Sequence, residues 1–326
     1  MTGHLRTMAS HNNLHALLYQ TASAEYLVMC LQAYQLARHA LQTRLATGTF
    51  RQPAVILDLD ETVLDNAPYQ AWLIRAGKNF HEGSSWRAWC DLGVSRAVPG
   101  AVEFVRFAVD NGVKPFFITS RQNITRAGTA RNLAALGLLT AEEFANELDG
   151  GGDPANTRLF MKGMTAVTVP RPDGTQDYLL RNKFEQRVFC QQVREHEIVL
   201  SVGDSLSDYA EYYGQVADSQ GEFVAGLHPT MTARRSSALQ DAPLFGRDFI
   251  LIPNASYGGW LRAFEANGLG AGDELAYTAE SVRNGLEEPQ IPFEFENGTK
   301  TATPKGPKFS DHLGVWDGDR GVSPRS

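Results

Sequence analysis

The sequence predicts an α/β fold, a Rossmann-like parallel sheet flanked by helices, and three features predict it. Apolar runs at residues 54–57, 113–119 and 198–203 have the length and composition of strands buried on both faces. Helix-period segments lie between them, the alternation that builds a parallel sheet. Each run also ends in hydroxyl or carboxylate side chains, as an open α/β sheet does when it builds a site at its carboxyl edge.

The elements follow in order. Residues 22–46 carry Leu27, Leu31, Tyr34, Leu41 and Leu45 at helical spacing, with Gly48 as a stop signal, so residues 1–50 read as an N-terminal helical segment packed on the core. The first strand, Ala54-Val55-Ile56-Leu57, runs into Asp58-Leu59-Asp60-Glu61-Thr62. Residues 63–98 hold Trp72, Trp86 and Trp89 and separate that strand from Pro99. Residues 100–111 and 122–136 read as helices, the second closed by Gly137. Between them the second strand ends in Thr119, Ser120 and Arg121.

Gly150-Gly151-Gly152-Asp153-Pro154 is a loop. Residues 167–171 and 176–180, around Pro172-Asp173-Gly174, form a hairpin insert. Asn182-Lys183-Phe184-Glu185 opens a helix reaching to about His196. The third strand then ends in Gly203-Asp204, followed by Ser205-Leu206-Ser207-Asp208, and a last strand at residues 249–252 precedes Pro253. After Glu287 the composition turns to Pro, Gly, Lys and Thr, so residues 265–326 are expected to be a C-terminal extension, partly extended or disordered. No repeat of solenoid period occurs.

Composition narrows the function. A net charge of -7 over 326 residues argues against a broad nucleic-acid footprint, which needs a basic face. A small phosphate ester needs only a metal and a few local cations. No apolar run is long enough for a transmembrane helix. Cys30, Cys90 and Cys190 have no metal-site spacing; Cys30 and Cys190 read as small buried groups in helices, with a single disulfide as the alternative. Residues 1–10 carry neither an apolar core nor a lipobox cysteine, so no secretory signal is expected. His81, His196 and His228 lack metal-ligand spacing and read as surface or internally satisfied groups.

Side chains two apart on a strand point the same way, so Asp58 and Asp60 are expected to project together. Two carboxylates that close predict a metal ion, a raised pKa, or both. The bland alternative is a strand followed by a solvated acidic turn.

With Asp58-x-Asp60, Thr119, Lys183 and Gly203-Asp204 in that order, the chain resembles the haloacid dehalogenase superfamily. It is closer still to the class C acid phosphatases, the bacterial lipoprotein acid phosphatase and 5'-nucleotidase group. The segments that carry this likeness are residues 20–26 (QTASAEY), 58–66 (DLDETVLDN), 86–89 (WRAW), 99–104 (PGAVEF) and 252–258 (IPNASYG), within about residues 14–264.

The resemblance implies a phosphatase core over residues 51–264 with a small helical cap at about 63–98. It implies a phosphomonoesterase in which Asp58 attacks phosphorus and forms an aspartyl-phosphate, while Asp60 moves protons. Mg2+ is expected on the Asp58 carboxylate, the Asp60 backbone carbonyl and Asp204. Thr119 is expected to bind a phosphoryl oxygen, with Ser120 and Arg121 on the substrate side. Lys183 is expected to offset the phosphate charge, with Lys162 as its rival, and Asp208 to orient metal-bound water or pair with Lys183.

Trp86 and Tyr257 fall where relatives sandwich a nucleobase, which points to nucleoside monophosphates and other small esters; packing is the competing role for Trp86. Relatives suggest a homodimer and a periplasmic, outer-membrane or secreted location. The rival readings are a non-catalytic storage or binding protein on this scaffold, which Asp58 argues against, and a sugar-phosphate phosphatase or phosphotransferase.

Overall fold

The computed structural model describes residues 13–260 apart from 77–82, 150–151, 165, 172–173, 218–222 and 225–228. Residues 265–326, His81 and His228 therefore lie outside the described residues. Two helices open the chain, α1 (Leu14–Ala22) and α2 (Ala24–Thr47). They are split at Ser23, whose extended backbone and Oγ cap the second helix by accepting from the Tyr26 amide at 3.0 Å. The buried face of α2 is Tyr26, Cys30, Tyr34, Ala37 and Leu41. Leu27 and Leu31, expected to pack, are instead 45% and 38% exposed. Apolar residues on more than one face of this helix blur its periodicity, and the tertiary contact chose the face carrying the tyrosines.

The chain then runs through β1 (Pro53–Leu57), β2 (Leu64–Asp65), α3 (Ala67–Ala76), α4 (Gly83–Leu92), β3 (Arg96–Ala97) and α5 (Ala101–Asp110). It continues as β4 (Lys114–Gln122), α6 (Arg126–Ala135), α7 (Ala141–Asp149) and β5 (Leu159–Lys162), followed by the hairpin β6 (Val167–Arg171) and β7 (Gly174–Tyr178). The last elements are α8 (Lys183–Gln192), β8 (Glu197–Gly203), β9 (Val216–Ala217), β10 (Phe223–Val224), α9 (Met231–Gln240) and β11 (Phe249–Leu251).

Five strands form one parallel sheet in the order β11-β8-β1-β4-β5, with β1 central. Its strand residues Ala54, Val55, Ile56 and Leu57 are buried together with Phe116, Phe117 and Phe160 from β4 and β5. This is the Rossmann-like α/β architecture expected from the apolar runs.

Several boundaries moved, among them the hairpin's second strand, expected at 176–180 and found at Gly174–Tyr178. β4 continues past Thr119 to Gln122, with an irregularity in its pairing to β5 between those residues. α8 ends at Gln192 rather than near His196, because Glu195 adopts a left-handed φ of 54° that turns the chain into β8. The three cysteines are all buried and free, so the disulfide alternative is not realised.

The described residues between 63 and 98 form a small helical unit beside the sheet's carboxyl edge. The β2–β3 ladder pins its two ends, pairing Leu64 with Ala97 and Asp65 with Arg96. Tyr69, Leu73, Trp89 and Cys90 form a separate apolar cluster, with Trp72 and Trp86 packed against it. Gly128 lets this unit sit close to the core: a Cβ there would lie 2.3 Å from the Cys90 carbonyl oxygen, so any side chain pushes α4 away from α6.

Candidate active site

β1 places Asp58 one residue beyond its end, with the Asp58 amide donating to the Val202 carbonyl at 3.0 Å. The chain then closes a tight loop in which the Leu59 carbonyl accepts from the amides of Val63 at 2.8 Å and Leu64 at 2.7 Å. Glu61 takes φ 58° here, a strained conformation for a residue with a side chain. Its fully buried carboxyl anchors the loop by accepting from the Asn66 amide at 2.8 Å and Asn66 Nδ2 at 3.2 Å. Burial pushes the Glu61 carboxyl well above the usual range, and Asp60 adds to that shift. α2 reaches the loop as well, Tyr34 Oη donating to the Thr62 carbonyl at 2.6 Å.

The two aspartates take different partners. Asp58 faces a charge-dense cluster built by strand ends and by the start of α8. Lys183 Nζ donates to Asp58 Oδ1 at 2.5 Å and to Asp208 Oδ1 at 2.7 Å. Lys183 is the first residue of α8, whose cap Asn182 accepts from the Glu185 amide at 2.9 Å. Lys162, at the end of β5, is exposed. Lys183 is therefore the lysine that the fold brings to Asp58.

Asp204 follows β8 and accepts from Asn254 Nδ2 at 2.7 Å and from Thr62 Oγ1 at 3.4 Å. Asp208 folds back so that Oδ2 accepts from the Ser205 amide at 3.0 Å. That fold-back needs Gly203, since a Cβ there would lie 2.4 Å from Asp208 Oδ2.

One carboxylate oxygen from each of Asp58, Asp204 and Asp208 lies within 4.8 Å of the others. Burial pushes the Asp58 carboxyl well up despite the opposing pull of Lys183, with Asp208 and Asp204 adding to the rise. Burial and then Asp208 raise Asp204 to about 7. Burial disfavours the Lys183 charge, but Asp208 and Asp58 more than offset it and keep it an ammonium. Three acids against one ammonium is a set of hard oxygen donors short of positive charge, which is the chemistry a divalent cation satisfies.

Asp60 instead sits in a charge-balanced network on the helical unit's side. Arg121 donates to its Oδ1 through Nε at 2.9 Å and approaches through Nη2 at 2.8 Å, and Asn66 Nδ2 donates to the same oxygen at 2.9 Å. Asn66 Oδ1 in turn accepts from Trp89 Nε1 at 2.8 Å, Arg121 Nη2 at 3.1 Å and Ser95 Oγ at 3.2 Å. Arg121 also donates to Thr129 Oγ1 at 3.2 Å and lies 5.5 Å from the ring centre of Trp86. Burial opposes its charge most strongly of any single cause, but Asp60, Cys90 and Glu61 together more than offset it and raise the pKa.

The model of the haloacid dehalogenase superfamily, subfamily IIIB (acid phosphatase), matches residues 6–260. The chain belongs to this family. Two solved structures of the class C acid phosphatase from Bacillus anthracis, one with tungstate bound, are similar to it, with TM-scores of 0.63 and 0.62. In each comparison the sequences are 25% identical and the match covers 84% of this chain and 97% of the other. The protein is therefore a phosphoric monoester hydrolase of the acid phosphatase class, and its aspartate cluster suits the divalent metal that such phosphatases generally use.

In this acid phosphatase the fold brings Lys183 into contact with Asp58 and Asp208 and sets Asp204 within 4.8 Å of both acids, while Asp60 points into the Arg121 network. Thr119 is buried at the carboxyl end of β4, its Oγ1 accepting from the Arg121 amide at 3.1 Å, and Ser120 is exposed. Arg121, expected on the substrate side, is 2% exposed with its guanidinium committed to Asp60, Asn66 and Thr129, so it holds the site rather than presenting a free cation. Trp86 is half-buried in α4, its ring edge-on to Tyr69 at 5.1 Å. Tyr257 is half-buried, three residues beyond the Asn254 that binds Asp204. His196 is satisfied internally: its Nδ1 bonds to the Gln52 carbonyl at 3.2 Å.

Sequence reasoning missed Asn66, Glu61 and Thr62 as members of the site and gave Asn254 no role. Their one sequence signal is position, within the segments DLDETVLDN and IPNASYG.

Proposed function

We propose that this acid phosphatase hydrolyses nucleoside monophosphates and other small phosphate esters in a magnesium-dependent, two-step reaction through Asp58. The observation that carries the reading is the contact of Lys183 with both Asp58 and Asp208, at 2.5 and 2.7 Å, beside Asp204. A carboxylate is a weak nucleophile, and this arrangement both aligns it and supplies positive charge where a phosphate must approach.

In the first step an Asp58 carboxylate oxygen bonds to phosphorus, the ester P–O bond breaks, and Asp60 gives a proton to the departing oxygen. In the second, water attacks phosphorus, its proton passes to Asp60, and the bond to Asp58 breaks to release orthophosphate. Lys183 offsets the phosphoryl charge, Asp208 holds Lys183 in place, and Thr119 binds a phosphoryl oxygen. Arg121 and Asn66 fix the direction of Asp60. The Asp58 and Asp204 carboxylates and the Asp60 backbone carbonyl would hold Mg2+, which supplies charge neutralisation for the phosphoryl oxygens. The tungstate bound by the B. anthracis relative is a tetrahedral oxyanion, which supports a phosphate-shaped site.

Trp86 and Tyr257 are the residues proposed to hold a base between their rings. The test is hydrolysis of AMP, NMN, a sugar phosphate and p-nitrophenyl phosphate, with EDTA and after Mg2+ is restored. Activity that survives EDTA rejects the metal requirement. Equal kcat/KM for AMP and the sugar phosphate rejects the aromatic sandwich.

A further inference from the structure

We propose that the amino edge of the same sheet holds a second, metal-independent site for a small multivalent anion, a phosphorylated or polycarboxylated molecule. The inference goes beyond the catalytic reading and does not depend on it. A cavity of about 710 Å³ opens where β1, β4 and β8 begin, and Arg51, Pro53, Lys114, Val193, Arg194 and His196 are among its lining residues. The register brings these residues together, since Ala54 pairs with Lys114 and Pro53 with Glu197, next to His196. The catalytic side chains stand at the other ends of these same strands, about 16 Å away for a five-residue strand such as β1.

The charge in this cavity is one-sided, because none of its lining residues is acidic. Arg51 is exposed and pairs with Glu195 at 3.2 Å. Among the described residues Arg194 donates to carbonyls alone, to Thr157 at 2.5 Å and Pro154 at 3.5 Å, and it packs over the Phe116 ring. Lys114 is half-buried, and its ammonium makes no hydrogen bond or ion pair among the described residues. Arg158, nearby, is already paired with Glu143 at 2.5 Å. Burial lowers the Lys114 pKa, Arg194 and Arg158 lower it further, and Glu143 opposes them more weakly. Lys114 and Arg194 repel one another, and although Glu143 and Asp153 lie near enough to be felt, among the described residues no carboxylate is in hydrogen-bond contact with either cation. In a cavity with apolar walls from Pro53 and Val193 the pair suits a compact multivalent anion. His196, with Nδ1 committed to the Gln52 carbonyl, lines the cavity beside them.

Calorimetric titration of the EDTA-treated full chain with pyrophosphate, citrate and acetate tests the proposal. Without a metal the catalytic edge is net acidic and disfavours anions, so a saturable signal reports the amino edge. One pyrophosphate or citrate is expected to bind per chain, with acetate at least about tenfold weaker, reflecting charge-assisted contacts that a monovalent ion cannot make. The tighter of the first two assigns the phosphate or the carboxylate class. Lys114→Met should weaken binding at least about tenfold and Lys114→Arg should restore it, both leaving kcat/KM for p-nitrophenyl phosphate unchanged. Arg194→Lys, which keeps the charge near the carbonyls, is the second variant and should retain binding. Absence of saturable binding, or binding indifferent to Lys114→Met, overturns the site.

Discussion

Asp58 and Asp60, two residues apart in the chain, end in opposite surroundings. Asp58 belongs to a wall made by strand ends, where three carboxylates share one ammonium. Asp60 belongs to a wall made with the helical unit, where Arg121 and Asn66 neutralise it and satisfy one another. The first wall is short of positive charge and rests on an incomplete electrostatic balance; the second is complete. Substitutions should therefore separate them. Removing an acid from the first should cost activity and spare or raise the stability of the metal-free protein. Removing a member of the second should lower stability and activity together.

The largest effect tests the first half of that statement. Asp58→Asn should lower kcat for p-nitrophenyl phosphate by on the order of 10^4-fold, as loss of a nucleophile does, while the circular dichroism spectrum and metal-free Tm stay level or rise. Retained activity would sink the assignment of Asp58. A large fall in Tm would instead show that the strand-end wall is held together by its charges.

Arg121→Met attacks the second wall. It strips Asp60 of its charged partner and Asn66 of one donor, leaving Asp60 only its bond from Asn66, and urea unfolding should show a loss of about 3–5 kcal/mol. The same variant should lower kcat/KM by about 10²-fold, since Asp60 loses its orientation. Arg121→Lys should recover little, because one ammonium cannot reproduce the fork that serves Asp60, Asn66 and Thr129. A variant that lost activity at full stability would place Arg121 in direct contact with substrate after all. Asn66→Ala comes next, with a stability loss of about 2–3 kcal/mol from the groups it leaves unpaired, Trp89 Nε1 and the Glu61 carboxyl among them. Its kcat should fall about tenfold, by the looser hold on Asp60.

The two walls also differed in how well the sequence revealed them. Strand ends are linear features: an apolar run followed by a polar group places Asp58, Thr119 and Asp204 at one sheet edge as soon as the strands are recognised. Lys183 was identified by order along the chain, and its capped helix start then proved to aim it at Asp58. The second wall was nearly invisible. Asp60 was expected beside Asp58 because extended geometry was assumed to persist, yet the chain leaves the strand and turns through a left-handed Glu61. Asn66 reaches Trp89 and Ser95 across 23 and 29 residues of sequence. No local period encodes such contacts. Arg121 was expected on the substrate side for the same reason: its commitment to Asp60, Asn66 and Thr129 depends on a helical unit whose docking no spacing rule predicts. The helix at residues 22–46 is the converse case, where periodicity was legible and put Tyr34, Leu41 and Leu45 correctly against the core but included Leu27 and Leu31, which are exposed.

The smallest effect asks whether the strand-end wall is truly over-acidic. Asp204 has its carboxyl raised to about 7 from an ordinary 3.8, so the native protein holds this proton more tightly than the unfolded chain does. A group of that kind contributes stability that is fully present below the unfolded value and is lost as pH rises through about 7. Asp204→Asn cannot lose it. In EDTA the variant and parent should melt together near pH 4, then diverge as pH rises, with the variant ahead by on the order of 2 kcal/mol at pH 8. The gain stays modest because Asp204 is partly accessible and keeps its bond from Asn254. Mg2+ should close the gap by stabilising the parent more than the variant, since only the parent offers the second anionic ligand. Equal melting at every pH would mean that Lys183 already balances the cluster, and the contrast between the two walls would then lie in geometry rather than in charge.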